Sequence, residues 1–261
     1  MKNFFKIILC VRVAYCLIGI GWISKDIIIH ENVKDGIAIL GYHGVVSDQE
    51  KASKYKSNTY FMAVSEFDKQ MAYLAKNNYQ CLSLDEVNRY YHGDLDISNK
   101  AVCLTFDDGY LNFNTVVKPI LVKYNLYATN FVIGNKVNKD NPLYLHKEDL
   151  INDEYVAYYS HSYDLHHIGH LPYKKKIETL STKEIALDFK ANEGIVSNDY
   201  FAFPYGVSCP NAKKYLQTSD VKLAFGYNQN RHMTRKDNQY LLPRYLMFSN
   251  MPFFIYQWYV E

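Results

Sequence analysis

From residue 37 onward the chain alternates short apolar runs with longer stretches of helical periodicity. The apolar runs Ile37–Tyr42, Ala101–Phe106, Ala128–Ile133, Val156–Ser160, Tyr200–Phe203, Leu223–Phe225 and Tyr240–Met247 have the length and β-branched or aromatic content of strands. Between them lie helical patterns at Leu84–Tyr91, Asn112–Tyr124, Ser181–Ser197, Pro210–Thr218 and Ser65–Asn77. In the last of these Phe67, Met71 and Leu74 recur at helical spacing behind Ser65, which is read as the cap. Strands that alternate with helices predict an α/β fold, here a distorted (β/α)7-type barrel of mainly parallel strands preceded by an N-terminal apolar helix. In such barrels reactive side chains gather at the C-terminal ends of the strands.

The N-terminal helix is predicted because Lys2 and Lys6 precede an apolar stretch from Ile7 to Ile23 interrupted only by Arg12. Counted from Val13 the stretch has signal-peptide length, and counted from Ile7 it reaches the short edge of a membrane span. No good cleavage site follows, so residues 1–24 read as a signal peptide or, preferably, an uncleaved signal anchor. The basic residues ahead of it leave the rest of the chain on the extracellular face. Residues 25–36 form a polar linker, and residues 37–261 are long enough for one catalytic domain.

Lys and Arg total 29 against 27 Asp and Glu, a net charge of +2, which lacks the one-signed excess that draws a chain onto nucleic acid. A neutral or weakly charged partner fits this balance better, and a monomeric protein is expected. The five cysteines include no CxxC pair and are too scattered for a disulfide framework, so a cysteine-based zinc site is not expected.

Four places carry candidate chemistry. Ala101–Phe106 ends abruptly in Asp107-Asp108-Gly109. Adjacent carboxylates at a strand mouth repel unless a cation or hydrogen bonds offset them, although the same residues also suit an ordinary turn. Val156–Ser160 runs into His161-Ser162-Tyr163-Asp164-Leu165-His166. Histidines five apart do not share a helix face, but a strand end and its loop can aim both at one ion. His146, His167 and His170 enrich the same region, and His167 and His170 read as solvated loop residues. The third place is the apolar strand that stops at Phe203-Pro204-Tyr205-Gly206, whose backbone N–H groups could face an oxyanion. The fourth is His43, delivered by the first strand after Tyr42.

Together these segments resemble the polysaccharide deacetylase family, carbohydrate esterase family 4, over roughly residues 37–248. Thr105-Phe106-Asp107-Asp108-Gly109 matches its first motif, Ser160-His161-Ser162 through His166 its second with Ser for the commoner Thr, and Phe203-Pro204-Tyr205-Gly206 the end of its third. The third motif normally opens with an arginine, and Ala202 stands there instead. Tyr42-His43, the missing arginine and Leu242-Pro243-Arg244 look like the branch that deacetylates the biofilm polymer poly-β-1,6-N-acetylglucosamine. The resemblance implies a divalent metal on Asp108, His161 and His166, most simply Zn2+ with Co2+, Ni2+ or Mn2+ as alternatives. It implies Asp107 as general base, His43 as acid, the Tyr205 N–H on the oxyanion, and substrate contacts at Tyr42, Pro204 and Tyr205. Arg244 is the expected substitute for the absent arginine, because a charge inside an apolar run is costly unless it faces an acid. The rivals are the same chemistry on peptidoglycan, chitin or another acetylated polysaccharide, and a carbohydrate-binding surface protein without turnover. A glycosidase is disfavoured because neighbouring residues rarely place their carboxyls across a sugar bond.

Overall fold

A computed structural model describes residues 36–137, 141–169, 173–227 and 229–261. The expected apolar helix at residues 1–24, nearly all of the linker and His170 lie outside the described residues. Among the described residues no helix is long and apolar enough to cross a membrane.

The core is a curled, half-barrel sheet in which every strand pair is parallel. Its strands are β1 (Ala38–Tyr42), β4 (Gln80–Cys81), β5 (Ala101–Phe106), β6 (Ala128–Val132), β7 (Val156–Ser160), β8 (Ser197–Ala202), β9 (Leu223–Phe225) and β10 (Tyr245–Leu246). They are ordered β10-β1-β5-β6-β7-β8-β9, and β4 pairs with the start of β5. Two further short strands, β2 (Gly44–Val46) and β3 (Phe61–Ala63), pair with each other beside the mouth. β2, β3 and β4 are too short to carry a pattern of their own. The expected strand Tyr240–Met247 shrinks to Tyr245–Leu246, with Leu242 bridging singly to Phe225.

Because helices cover the outside of the sheet, both faces of each strand are buried, and the alternation of side chains divides them into two cores. Ala38, Leu40, Tyr42, Val102, Leu104 and Phe106 point outward against the helices. Ile37, Ile39, Ala101, Cys103, Tyr200, Ala202, Phe225 and Leu242 fill the interior. Helix Val64–Lys76 seals part of the outer core with Phe67, Met71 and Leu74, each fully buried or nearly so, and a buried side chain of that size stabilises by about 1.5–3 kcal/mol. Its start differs from the expectation. Ala63 occupies the cap without a side-chain bond, and Ser65 lies in the first turn, where its hydroxyl donates to Asp48 at 2.6 Å.

Helices Leu84–His92 and Thr182–Asn192 begin at capping boxes, Ser83 with Glu86 and Ser181 with Glu184, which satisfy N–H groups at the helix start. The second ends at Asn192, five residues earlier than its periodicity suggested, and the chain turns there to enter β8. Between Phe113 and Val117 the helix is wound as a π-turn before continuing as Lys118–Tyr124, and Pro119, which has no N–H to donate, stands just beyond the irregularity. The C-terminal helix Phe253–Val260 was not expected, since its sequence is apolar on all sides and shows no period.

Candidate active site

Strand parity decides which strand-end residues can meet. Continuing the interior set Ile37 and Ile39 by twos reaches His43. Continuing Ala101 and Cys103 reaches Thr105 and Asp107, and Leu242 leads to Arg244 and Leu246. These side chains therefore converge on one mouth. The backbone there is unusual in three places, for Asp108, Ser162 and Tyr205 all adopt left-handed conformations, with φ of 77°, 70° and 59°. Such residues cost roughly 1–3 kcal/mol each and gather at functional sites, where the surrounding structure holds them.

The first group at the mouth is Asp108, His161 and His166. The Oδ1 atom of Asp108 lies 3.6 Å from Nε2 of His161 and 3.5 Å from Nε2 of His166, and the three ligand atoms fall within 4.8 Å of one another. The His161 ring is fixed by its Nδ1–H, which donates to the Ala202 carbonyl at 2.8 Å. A carbonyl can only accept, so Nε2 carries the free lone pair and faces Asp108. His166 is held through its loop. Asp188 accepts from the N–H groups of Tyr163 and Asp164 at 2.8 and 2.7 Å, and the Ser162 hydroxyl accepts from the Leu165 N–H. Burial, and His161 beside it, push the His166 imidazole down to about 4, so it is neutral near pH 7. Asp108 Oδ1 is buried without a hydrogen-bond partner. A carboxylate oxygen left without a hydrogen bond beside two imidazole nitrogens is the donor set of a divalent cation, and these three residues fit one.

The second group surrounds Asp107. Arg244 donates from Nη1 to Oδ1 at 2.8 Å and from Nη2 to Oδ2 at 2.9 Å, and Nη1 also reaches the Thr105 hydroxyl at 3.1 Å. The guanidinium is fully buried, with the Tyr227 ring 4.1 Å and the Phe131 ring 5.4 Å from its carbon. The Tyr227 hydroxyl donates to Asp107 Oδ2 at 2.8 Å. Burial alone would raise the Asp107 carboxyl, but the Arg244 charge, aided by His161 and His43, outweighs it and holds the group well below the usual carboxylate range. Burial lowers the His43 imidazole, with the carboxylates of Asp108 and Asp107 opposing, and its Nδ1 is buried without a protein partner.

Both groups open into one cleft of about 640 Å³, also lined by Tyr60, Tyr110, Lys175, Tyr205 and Phe248. Tyr205 stacks on His166 at 4.1 Å, and the Lys175 ammonium lies 4.2 Å from the centre of the Tyr205 ring. The turn that holds it closes through the Gly206 and Val207 N–H groups, not through that of Tyr205. Two expected substrate contacts lie elsewhere. Tyr42 points outward by parity, where its ring stacks on Phe106 and its hydroxyl donates to Gln70, and it is 1% exposed. Pro204 is buried behind the turn and does not line the cleft. His167 bonds to Asp164 at 2.8 Å, away from the ligand trio. Tyr227 was missed: it stands alone after β9, one tyrosine among 25, with no local pattern to mark it.

The family model for polysaccharide deacetylases matches residues 95–224. The chain belongs to the polysaccharide deacetylase family and is a hydrolase that removes N-acetyl groups from polysaccharides. Enzymes of this family use a divalent metal, and the trio above has the donors to hold one. Over 211 residues the chain is 24% identical to the poly-β-1,6-N-acetyl-D-glucosamine N-deacetylase of Staphylococcus aureus, covering 75% of this chain and 71% of that one. Its fold is similar to that of the Streptococcus pyogenes deacetylase PplD, solved with acetate (TM-score 0.73, 23% identity, 87% of this chain and 98% of that chain). It is likewise similar to IcaB from Ammonifex degensii (TM-score 0.70, 24% identity, 87% and 98%).

Proposed function

We propose that the protein is a metal-dependent N-deacetylase of poly-β-1,6-N-acetylglucosamine, acting at the cell surface and supporting biofilm formation. The observation that carries the chemistry is the contrast between two neighbouring acids in one cleft: Asp108 with a bare buried oxygen facing two imidazoles, and Asp107 fully engaged by Arg244. The choice of polymer rests on the staphylococcal relative's substrate together with a cleft whose mouth carries the partly exposed aromatics Tyr60 and Phe248, rings suited to sugar faces.

Asp108, His161 and His166 would hold the ion, most simply Zn2+ given two imidazoles and one carboxylate. When bound, such an ion supplies Lewis-acid polarisation of the acetamide carbonyl and makes a water acidic enough to act as nucleophile near neutral pH. Asp107 accepts the proton of the attacking water through Oδ1, while Arg244 keeps the carboxylate plane fixed. The Tyr205 N–H faces the developing oxyanion. His43 delivers a proton to the departing amine, which could not leave as an anion. Burial lowers the His43 imidazole, with the carboxylates of Asp108 and Asp107 opposing, so His43 releases a proton readily once it holds one.

The test is acetate release by the purified protein from poly-β-1,6-N-acetylglucosamine, with chitin oligomers and peptidoglycan in parallel, before and after chelation and with Zn2+ restored. Metal-dependent release from the β-1,6 polymer in preference to the others supports the reading; release only from the β-1,4 polymers would reassign the substrate. Fractionation of cells producing the full chain tests location, with recovery from the cytosol counting against it.

A further inference from the structure

A carboxylate offers four in-plane accepting positions, two on each oxygen. On Asp107 the Arg244 fork occupies one on Oδ1 and one on Oδ2, and the Tyr227 hydroxyl occupies the second on Oδ2. Among the described residues no donor takes the fourth, on Oδ1. We infer that Tyr227 is a positioning residue for deacetylation: it closes Oδ2 to water and leaves one accepting position on Asp107, so that the attacking water is aligned before it loses its proton. The inference rests on Asp107 acting as the base.

The surroundings of Tyr227 are built to hold it in place. A Cβ on Gly41 would come within 2.3 Å of its hydroxyl oxygen, and one on Gly206 within 2.8 Å of its Cβ, so two strand-end backbones approach its ring where only glycine leaves room. The ring face covers the Arg244 guanidinium, and the ring lies nearly parallel to that of His43 at 6.3 Å. Burial pushes its hydroxyl pKa well up, so it remains a donor whenever the enzyme is folded. A hydroxyl that cannot swing away and cannot ionise acts as a fixed stopper on one oxygen. A base with two accepting positions would take water in two orientations, and only one of them presents the oxygen to the acetyl carbon.

Tyr227→Phe removes the hydroxyl and keeps the ring over Arg244, so it separates the stopper from the packing. In the full-length protein loaded with Zn2+, this substitution is expected to lower kcat for acetate release by about 10–100-fold, the range of lost support to a reacting group. KM and Zn2+ affinity should stay within about twofold. An unchanged kcat overturns the inference, and so does a fall in kcat accompanied by weakened Zn2+ binding, which would mark a structural role. Asp107→Asn, measured beside it, separates the two levels of argument. If that variant is inactive while Tyr227→Phe turns over normally, the base reading stands and only the stopper fails; if Asp107→Asn turns over normally, the base reading itself fails.

Discussion

Asp107 and Asp108 are neighbours in sequence with opposite surroundings. Asp107 receives three hydrogen bonds, two from the buried Arg244 and one from the half-buried Tyr227, and its charge is balanced inside the protein. Asp108 sits in a left-handed backbone conformation that turns its carboxylate to the other wall, where Oδ1 meets two imidazole edges and no donor. One acid is internally complete and the other is incomplete without a cation. The parity of β5 sends the first inward, and the φ of the second breaks that parity, so adjacent acids meet different partners.

The sharpest way to break this contrast is to deprive each acid of its partner. Chelation should abolish acetate release while leaving the fold intact, and Zn2+ should restore it, because only the Asp108 side depends on an ion; activity that survives exhaustive chelation would refute the division. Asp107→Asn should lower kcat by about 10²–10⁴-fold, the usual worth of a general base, with Zn2+ binding measured by calorimetry unchanged. Arg244→Met strikes the complete side directly. It leaves the Asp107 charge unpaired in the interior, and should cost about 3–5 kcal/mol in urea unfolding and impair turnover about as severely as Asp107→Asn. A stable, active Arg244→Met would show that Asp107 does not depend on it.

Acidification sharpens the comparison in a milder way. His166 titrates at about 4 in the fold against about 6.5 when unfolded, so between these values the unfolded chain binds a proton that the folded chain excludes. Stability of the metal-free protein should therefore fall as pH drops from about 6.5 to about 4. His43 is lowered too and acts in the same direction, and Asp107, held low, extends the loss to more acid pH. Urea midpoints at pH 7, 5.5 and 4.5 measure this, and His166→Asn should flatten the slope. The smallest effect is expected at Tyr42→Phe. It removes one buried hydrogen bond to Gln70 and should cost about 1–2 kcal/mol with kcat unchanged; a large fall in kcat would return Tyr42 to the substrate side.

Much of the architecture was legible in the chain. Strand-like runs that stop at Asp107, His161 and Pro204 place reactive residues at strand ends, and Arg244 invites a search for an acid because a lone charge within an apolar run is costly. Helix ends were less legible. Ser65 has the chemistry of a cap, yet Asp48 from another helix takes its hydroxyl, a tertiary contact that no local pattern records.

The sequence by itself determined the alternation of buried strands and amphipathic helices, the reactive residues available, and their order along the chain. Only the tertiary structure decided which of them face one another. In a parallel sheet covered on both sides, Ala101–Phe106 is buried at every position, so inward and outward residues look the same in one dimension. Hence Tyr42 could be expected at the substrate and prove to be outer core, while Tyr227, far along the chain and without a local signature, arrives at Asp107 only because the sheet curls β9 toward the mouth of β5 and two glycines let its ring through.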